Sequence, residues 1–474
     1  MRSLFLAASA LALASCAGGP PPEVATPTPV LSPEFLYAPD SESGTALAEL
    51  LPREDAAYSL LAAHALANSP TLGEALARVE QARAGAGRAG AERLPSIDAN
   101  ATYSRTRTNP EQFGGALPPG LNFDREQVSY AANVSARWDL DLFGRLRAQE
   151  RAALARLDAA DASSRAVRNA LLAEVAASVI DWRTLEARQT AIEDDIAAAE
   201  ELARLAGVRE EAGIAPGFDR VRAESAANAS RSRLAALESE RARLIGRLVT
   251  LTAQGGAQVR AALALGENDM RLPAPPASLP STLLSNRPDV LAAAATLAAE
   301  DEELAATARR RFPSFNLSAV IGLLAFSPGD IFDDDSIVFT LADTIAGPLF
   351  DFGRISAEID GAAAEKRAAF QAYRGTVYTA LGDAEAAYGL VGAADRELEA
   401  ASAEADSLQR AARLAEFRQE AGLADFLTVL EARRAADASG ERAAAALGRA
   451  QRARVLLWQS LGGDVQPMTR STSQ

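Results

Sequence analysis

Two hydrophobic periods alternate along the chain, and the whole alternation occurs twice. Thr71 to Arg93 is Ala-rich and reads as an amphipathic helix. After Pro95 the period drops to two. Ile97, Ala99, Ala101 and Tyr103 fall on one face, and Ser96, Asp98, Asn100, Thr102 and Ser104 on the other. A second alternating run sets Val128, Tyr130, Ala132, Val134, Ala136 and Trp138 against Ser129, Asn133, Ser135 and Arg137. The Pro- and Gly-rich stretch Asn109 to Asp124 between them reads as a loop. Arg145 to Ala212 then carries no Pro and predicts a helix roughly 100 Å long at 1.5 Å per residue. Pro216 turns the chain, and Asp219 to Ala253 is helical again.

The second half repeats this order. Phe315, Leu317, Ala319, Ile321 and Leu323 alternate with Ser314, Asn316, Ser318 and Gly322. Ile337, Phe339, Leu341 and Ile345 alternate with Ser336, Thr340 and Thr344, and Asp343 interrupts that apolar face. The connecting loop is Ser327 to Asp335, and the helices are Ile355 to Ala421 and Phe426 to Leu461. Short motifs mark the duplication. Arg93-Leu-Pro-Ser96 returns as Arg311-Phe-Pro-Ser314, and Leu142-Phe-Gly-Arg145 as Asp351-Phe-Gly-Arg354. Arg209-Glu-Glu-Ala-Gly213 returns as Arg418-Gln-Glu-Ala-Gly422. The last two pairs share one offset of 209 residues, too long for a solenoid unit. The expected organisation is a first structural repeat over 51–254, a Pro- and Gly-rich joint over 255–281, a second repeat over 282–461 and a tail over 462–474.

Each strand is about 10 to 12 residues long, the length of a tilted membrane-crossing strand. One face is apolar and the other carries small polar residues, as a barrel between lipid and water requires. A soluble sheet with one wet face is the other reading of any single strand. Four strands cannot close a barrel, and an open edge is not tolerated in lipid. If the strands cross a membrane, several chains must therefore each supply part of one barrel.

Composition removes other functions. The chain has 474 residues, 48% of them hydrophobic and 5% aromatic, which suits close-packed Ala-rich helices. It holds one His, His64, and one Cys, Cys16, which removes most imidazole-dependent catalysis and multi-ligand zinc chemistry. No metal or other cofactor, and no enzymatic activity, is expected. A net charge of −15 argues against nucleic acid as a partner. Asp333-Asp334-Asp335 reads as a solvated loop or a calcium ligand set, and Tyr103, Trp138 and Phe312 as interfacial or ordinary sheet aromatics.

The first residues read as an address. Arg2 and the apolar run Leu4 to Ala14 form a signal peptide over 1–15, too short to span a bilayer. Leu13-Ala-Ser-Cys16 resembles a bacterial lipobox, which makes Cys16 the lipidated first residue of the mature chain. An ordinary secretory signal with a chance Cys is the alternative. Residues 16–50 then form the anchor and an extended Pro-rich tether.

Taken in order and doubled, these motifs resemble the bacterial outer-membrane efflux proteins of the TolC type, in their lipoprotein (NodT-like) branch. The resemblance implies an α+β fold of mostly long α-helices. A homotrimer would join a periplasmic α-barrel to a twelve-stranded transmembrane β-barrel, four strands per chain. It implies the exit duct of a tripartite efflux or type I-like export system in the bacterial outer membrane. The partners would be a periplasmic adaptor and an inner-membrane pump, of the RND type or another. The helix turns would form the narrow end, with Asp219, Glu431 and Asp425 as gate candidates. Gly213, Ile214 and Ala215, with Gly422, Leu423 and Ala424, would form the adaptor contact. Thr428 stands where the first turn has Asp219, a departure from the family pattern. Helix-first-turn acids and Gly caps explain the same residues without a gate. A non-conducting periplasmic adaptor or scaffold lipoprotein is the other functional reading, but it would carry one helical hairpin rather than a doubled strand pair and hairpin.

Overall fold

The computed structural model describes residues 23–39, 45–109, 126–214, 216–266 and 271–463. The signal segment, Cys16, Ala215 and nearly all of the Asn109–Asp124 loop lie outside the described residues. The elements run α1 (Ala56–Asn68), α2 (Pro70–Ala91), β1 (Ser96–Arg107), β2 (Glu126–Asp139), α3 (Arg145–Glu211), α4 (Phe218–Thr252) and α5 (Gly256–Leu263). They continue with α6 (Pro280–Asn286), α7 (Pro288–Arg309), β3 (Ser314–Ala325), β4 (Ile337–Ala346), α8 (Arg354–Glu420) and α9 (Phe426–Ser460). The duplication is exact in helix length: 67 residues in α3 and α8, 35 in α4 and α9, and 22 in α2 and α7. Pro70 and Pro288 open α2 and α7, and each holds the residue before it extended. That separates α1 from α2 and α6 from α7. The helices α1, α5 and α6 and a 3-10 turn at Leu47–Leu50 are additions to the expected elements.

The chain divides into two compact units, 1–27 with 80–159 and 294–372, and 28–79 with 160–293 and 373–474. The first unit holds all four strands, in one antiparallel sheet of order β1-β2-β3-β4. The two expected hairpins are therefore joined through β2 and β3. Cross-strand rows run apolar across the whole sheet. One row is Ala99, Val134, Ile321 and Phe339, and the next is Ala101, Ala132, Leu323 and Ile337. Ile97, Val134, Ile321, Phe339 and Leu341 on this face are exposed. The opposite face carries Asn100, Asn133 and Gly322 in one row, but Val320, Leu324 and Val338 make it less polar than the alternation implies. Gly322 is required there, because a Cβ at this position would overlap Asn133. Phe143 stacks on Phe312 at 4.7 Å between ring centres, and the Trp138 indole donates to the Arg93 carbonyl at 2.9 Å. Leu304 and Ala308 of α7 pack on Ile355, Ile359 and Ala363 of α8.

The second unit is helical. Its main core gathers Leu61, Leu248, Leu263, Leu283 and Trp458 with fully buried Ala57, Ala65, Ala384 and Ala450, so small side chains let the helices approach closely. Three buried arginines fasten it. Arg183 donates to Asp55 at 2.9 and 3.2 Å and to the carbonyls of Leu263 and Leu265 at 3.0 and 2.7 Å. Arg287 donates to Asp289, Asp383 and the Ser460 carbonyl. Arg454 donates to Asp395 and the Pro273 carbonyl.

Candidate functional site

Both helical hairpins of the second unit turn through the same local geometry. The amide of Gly213 donates to the Glu210 carbonyl at 2.9 Å, and that of Ile214 to Arg209 at 2.9 Å. At the second turn Gly422 donates to Gln419 at 2.9 Å and Leu423 to Arg418 at 2.6 Å. These paired bonds close a helix on a left-handed residue, with φ of +70° at Gly213 and +75° at Gly422. A side chain would strain either position. The motif leaves Ile214 and Leu423 exposed just beyond the glycines. Leu205 and Val208 on α3, and Leu414 and Phe417 on α8, are exposed at equivalent repeat positions in the preceding turns. Each hairpin end thus presents an apolar triplet, a feature sequence reading missed and the 209-residue offset would have revealed.

The two ends are fastened differently. At the first, Arg220 donates to Glu210 across the turn at 2.8 Å and to Glu224 at 2.6 Å. The Glu210 and Glu224 hydrogen bonds raise its pKa above the ordinary arginine value. At the second, the position equivalent to Arg220 is Val429, fully buried with Phe426 and Leu430. These three pack with Leu202, Ala206, Ala223, Ala227 and Ala415 in one small core shared by α3, α4, α8 and α9. Arg220 and Glu224 stand at an i, i+4 spacing within α4, but the Arg220–Glu210 bond has no sequence signature, since its partners lie on different helices.

The acidic candidates take different places. Asp219 is half-buried in the first turn of α4, which begins at Gly217 without a side-chain cap. Asp425 is the N-cap of α9; it accepts from the Thr428 amide at 2.8 Å and the Thr428 hydroxyl at 2.5 Å. Those bonds lower its pKa below the usual carboxylate range. Glu431 is exposed, and the residue equivalent to it in the first repeat is Arg222, whose guanidinium lies over the Phe218 ring at 5.3 Å. Ala424 is half-buried between the turn and its cap. Within one chain, then, the three acids hold separate local roles. Among the described residues no cluster suited to a metal ion occurs.

The family model for outer membrane efflux proteins matches the chain in two segments, 61–254 and 279–463. The chain belongs to the outer membrane efflux protein family. Its two matched segments each contain a strand pair and a helical hairpin. Among curated relatives, the pyoverdine export outer membrane protein OpmQ of Pseudomonas aeruginosa is 33% identical over 406 residues, covering 85% of this chain and 84% of that protein. The OpmQ of Pseudomonas putida is 30% identical over 471 residues, covering 98% of each. Among solved structures, the outer-membrane channel OprN superposes with a TM-score of 0.80 at 25% identity, covering 94% of this chain and all of that one. This efflux protein therefore has the family's α+β fold, with duplicated long helical hairpins and four strands.

Proposed function

We propose that three copies of the chain form an outer-membrane exit duct, passively conducting small molecules handed over by a periplasmic adaptor and an inner-membrane pump of the RND or another type. The observation that carries this reading is the sheet. Its apolar rows are exposed, and both outer strands have an edge without a strand partner among the described residues. Such a ribbon is unstable in lipid until other copies close it into a barrel. Twelve strands from three copies meet the closure requirement that four do not. The apolar triplets at the hairpin ends suit an adaptor, and Asp219 and Glu431 set the charge of the passage there. An acidic duct of this kind favours cations over anions. A covalent lipid on Cys16 adds a second hold on the membrane to that of the strands. The doubled strand pair and hairpin separate this reading from a non-conducting adaptor.

The test is ion current across a planar bilayer containing the purified protein. Steady current is expected, and it rises when Asp219→Asn and Glu431→Gln are combined. No current from either protein defeats the conduction reading; equal current from both removes these two acids from the gate.

A further inference from the structure

At the end of α7 a guanidinium stands without an acidic partner among the described residues. Arg309, Arg310 and Arg311 follow one another just before β3, in a chain of net charge −15. Arg310 is held by Glu358 at 2.9 Å, and Arg311 donates to the Ala308 carbonyl at 3.0 Å. Arg309 lies against the Leu142–Arg145 turn, its Nε 3.9 Å from where a Cβ would stand on Gly144. Its Nη1 is closed off from solvent and has no hydrogen-bond partner among the described residues. A guanidinium carries five donors, and a buried donor left unmatched is costly. The acids beside it are already engaged. Asp139 accepts from Arg145 at 2.8 Å, and Asp141 accepts from the amides of Leu146 and Arg147 at 2.9 Å each.

These residues border a cavity of about 440 Å³ at the seam where β2 ends and β3 begins. It has room for roughly a dozen waters, or for one phosphoglycerol group. Its walls are of two kinds. Arg145, Arg309 and Arg310 supply a basic side, and Phe143, Phe312 and Phe315 an aromatic one. Phe143, stacked on Phe312, lies 6.2 Å from Phe315. Phe315 opens the apolar face of the sheet. It shares that face with Leu317, Ala319 and Ile321, and it stands opposite Ile345, which is exposed. The cavity thus sits where the apolar rows stop and charged side chains begin, with rings between. In a membrane-crossing sheet, aromatic rings of this kind mark the level of the lipid headgroups.

Resting on the membrane-spanning reading of the sheet, we propose that this cavity binds the phosphodiester of a phospholipid, with the Arg309 guanidinium donating to its non-bridging oxygens and the acyl chains lying on the apolar face past Phe315 and Ile345. The planar fork of an arginine matches two phosphate oxygens. The phosphate also supplies the negative charge that no acid among the described residues gives Arg309. The three rings cover the glycerol and the first methylenes, apolar on one side and next to polar groups on the other. Each chain carries the site whole and once. Moving the first repeat forward by 218 residues sets Ser96 on Ser314, and Ala91 and Glu92 then fall on Arg309 and Arg310. The first strand pair has an alanine and an acid where the second has two arginines, so it lacks the site.

The full-length protein in detergent is titrated with dioleoyl phosphatidylglycerol and followed by native mass spectrometry. The first lipid per chain is expected to bind at least about tenfold more weakly to Arg309→Met, the effect of one lost charge-assisted hydrogen bond. Arg309→Lys keeps the charge and should recover part of that loss; should Arg309→Met fail to fold, Arg309→Gln carries the same expectation. Arg204→Met, which removes an exposed arginine paired with Glu201, should bind as the natural protein does. Dioleoylglycerol, with the same chains and no phosphate, should not distinguish Arg309→Met from the natural protein. Equal binding of phosphatidylglycerol with and without Arg309 overturns the site. Inorganic phosphate that binds through Arg309 while the lipid does not makes this a site for soluble phosphate and overturns the lipid assignment. Planar-bilayer current separates the two readings. A protein that conducts but takes up lipid independently of Arg309 loses this site alone, and a protein that never enters a bilayer loses the membrane-spanning sheet and the site together.

Discussion

The carboxyl groups of Asp195 on α3 and Asp437 on α9 are neighbours where two helical hairpins pack together. Asp195 also accepts from the Ser230 hydroxyl and, at 2.8 Å, from Arg233, which holds Glu441 at 2.6 Å; Arg188 approaches Glu441 from α3. Burial first, and then the neighbouring Asp195, push the Asp437 carboxyl up to about 7, against the opposing pull of Arg433 and Arg233. The folded pKa lies above the ordinary carboxyl value of about 3.9. The native state therefore holds an extra proton between those limits, and this pair's contribution to stability declines as pH rises through that window. Asp437→Asn removes the titrating group. Its melting temperature relative to the natural protein is expected to be higher at pH 8 than at pH 5, as followed by circular dichroism in detergent. A difference independent of pH would show that this pair does not govern the linkage.

Arg183 offers a second measurement. Both its guanidinium and the Asp55 carboxylate are almost completely buried, and Asp55 also caps α1 by accepting from the Ala57 amide at 2.8 Å. Arg183→Met leaves that carboxylate without its cation. Removing one member of a buried pair costs about 3–5 kcal/mol. Denaturant unfolding of the purified protein should show a loss of that order, with part of it restored by adding Asp55→Asn. A loss below about 1 kcal/mol, the range of an exposed pair, would mean that water reaches the site.

Cys16→Ala tests the anchor. Intact mass of the natural protein from a bacterial envelope should exceed the mature polypeptide by the mass of a diacylglyceryl group and an amide-linked acyl chain. The substituted protein should lack that increment. Equal masses for the two, apart from the substitution, would make the Cys incidental.

Much of the fold could be read from the chain because its duplication doubled every signal. Arg145 and Phe426 start the helices where the pattern predicts, and β1 and β3 start at the serines after Pro95 and Pro313. The residues brought opposite one another in the β2–β3 seam were not legible, since a long helical hairpin and the joint separate those strands in sequence. The helices α1, α5 and α6 were missed for a different reason. They are short, and their places are set by packing in the core around Leu248 and by Arg183 rather than by a sustained period. At the hairpin ends the glycines announced the turns, and Asp425 announced a helix start. The Arg220–Glu210 bond and the buried Val429 that distinguish one end from the other depend on contacts across helices, which no local pattern records.

The matched helix lengths restrict how this architecture can change. Deleting one residue from α3 would rotate everything beyond it by about 100° and retract it by about 1.5 Å, carrying its alanine stripe away from the neighbouring helices. The connection between β1 and β2, by contrast, is longer than that between β3 and β4, yet the two ladders coincide. Drift in size is thus absorbed at the strand-joining loops. Growth or shrinkage of the rods must come in steps of roughly seven residues, about two whole turns, made in both copies at once.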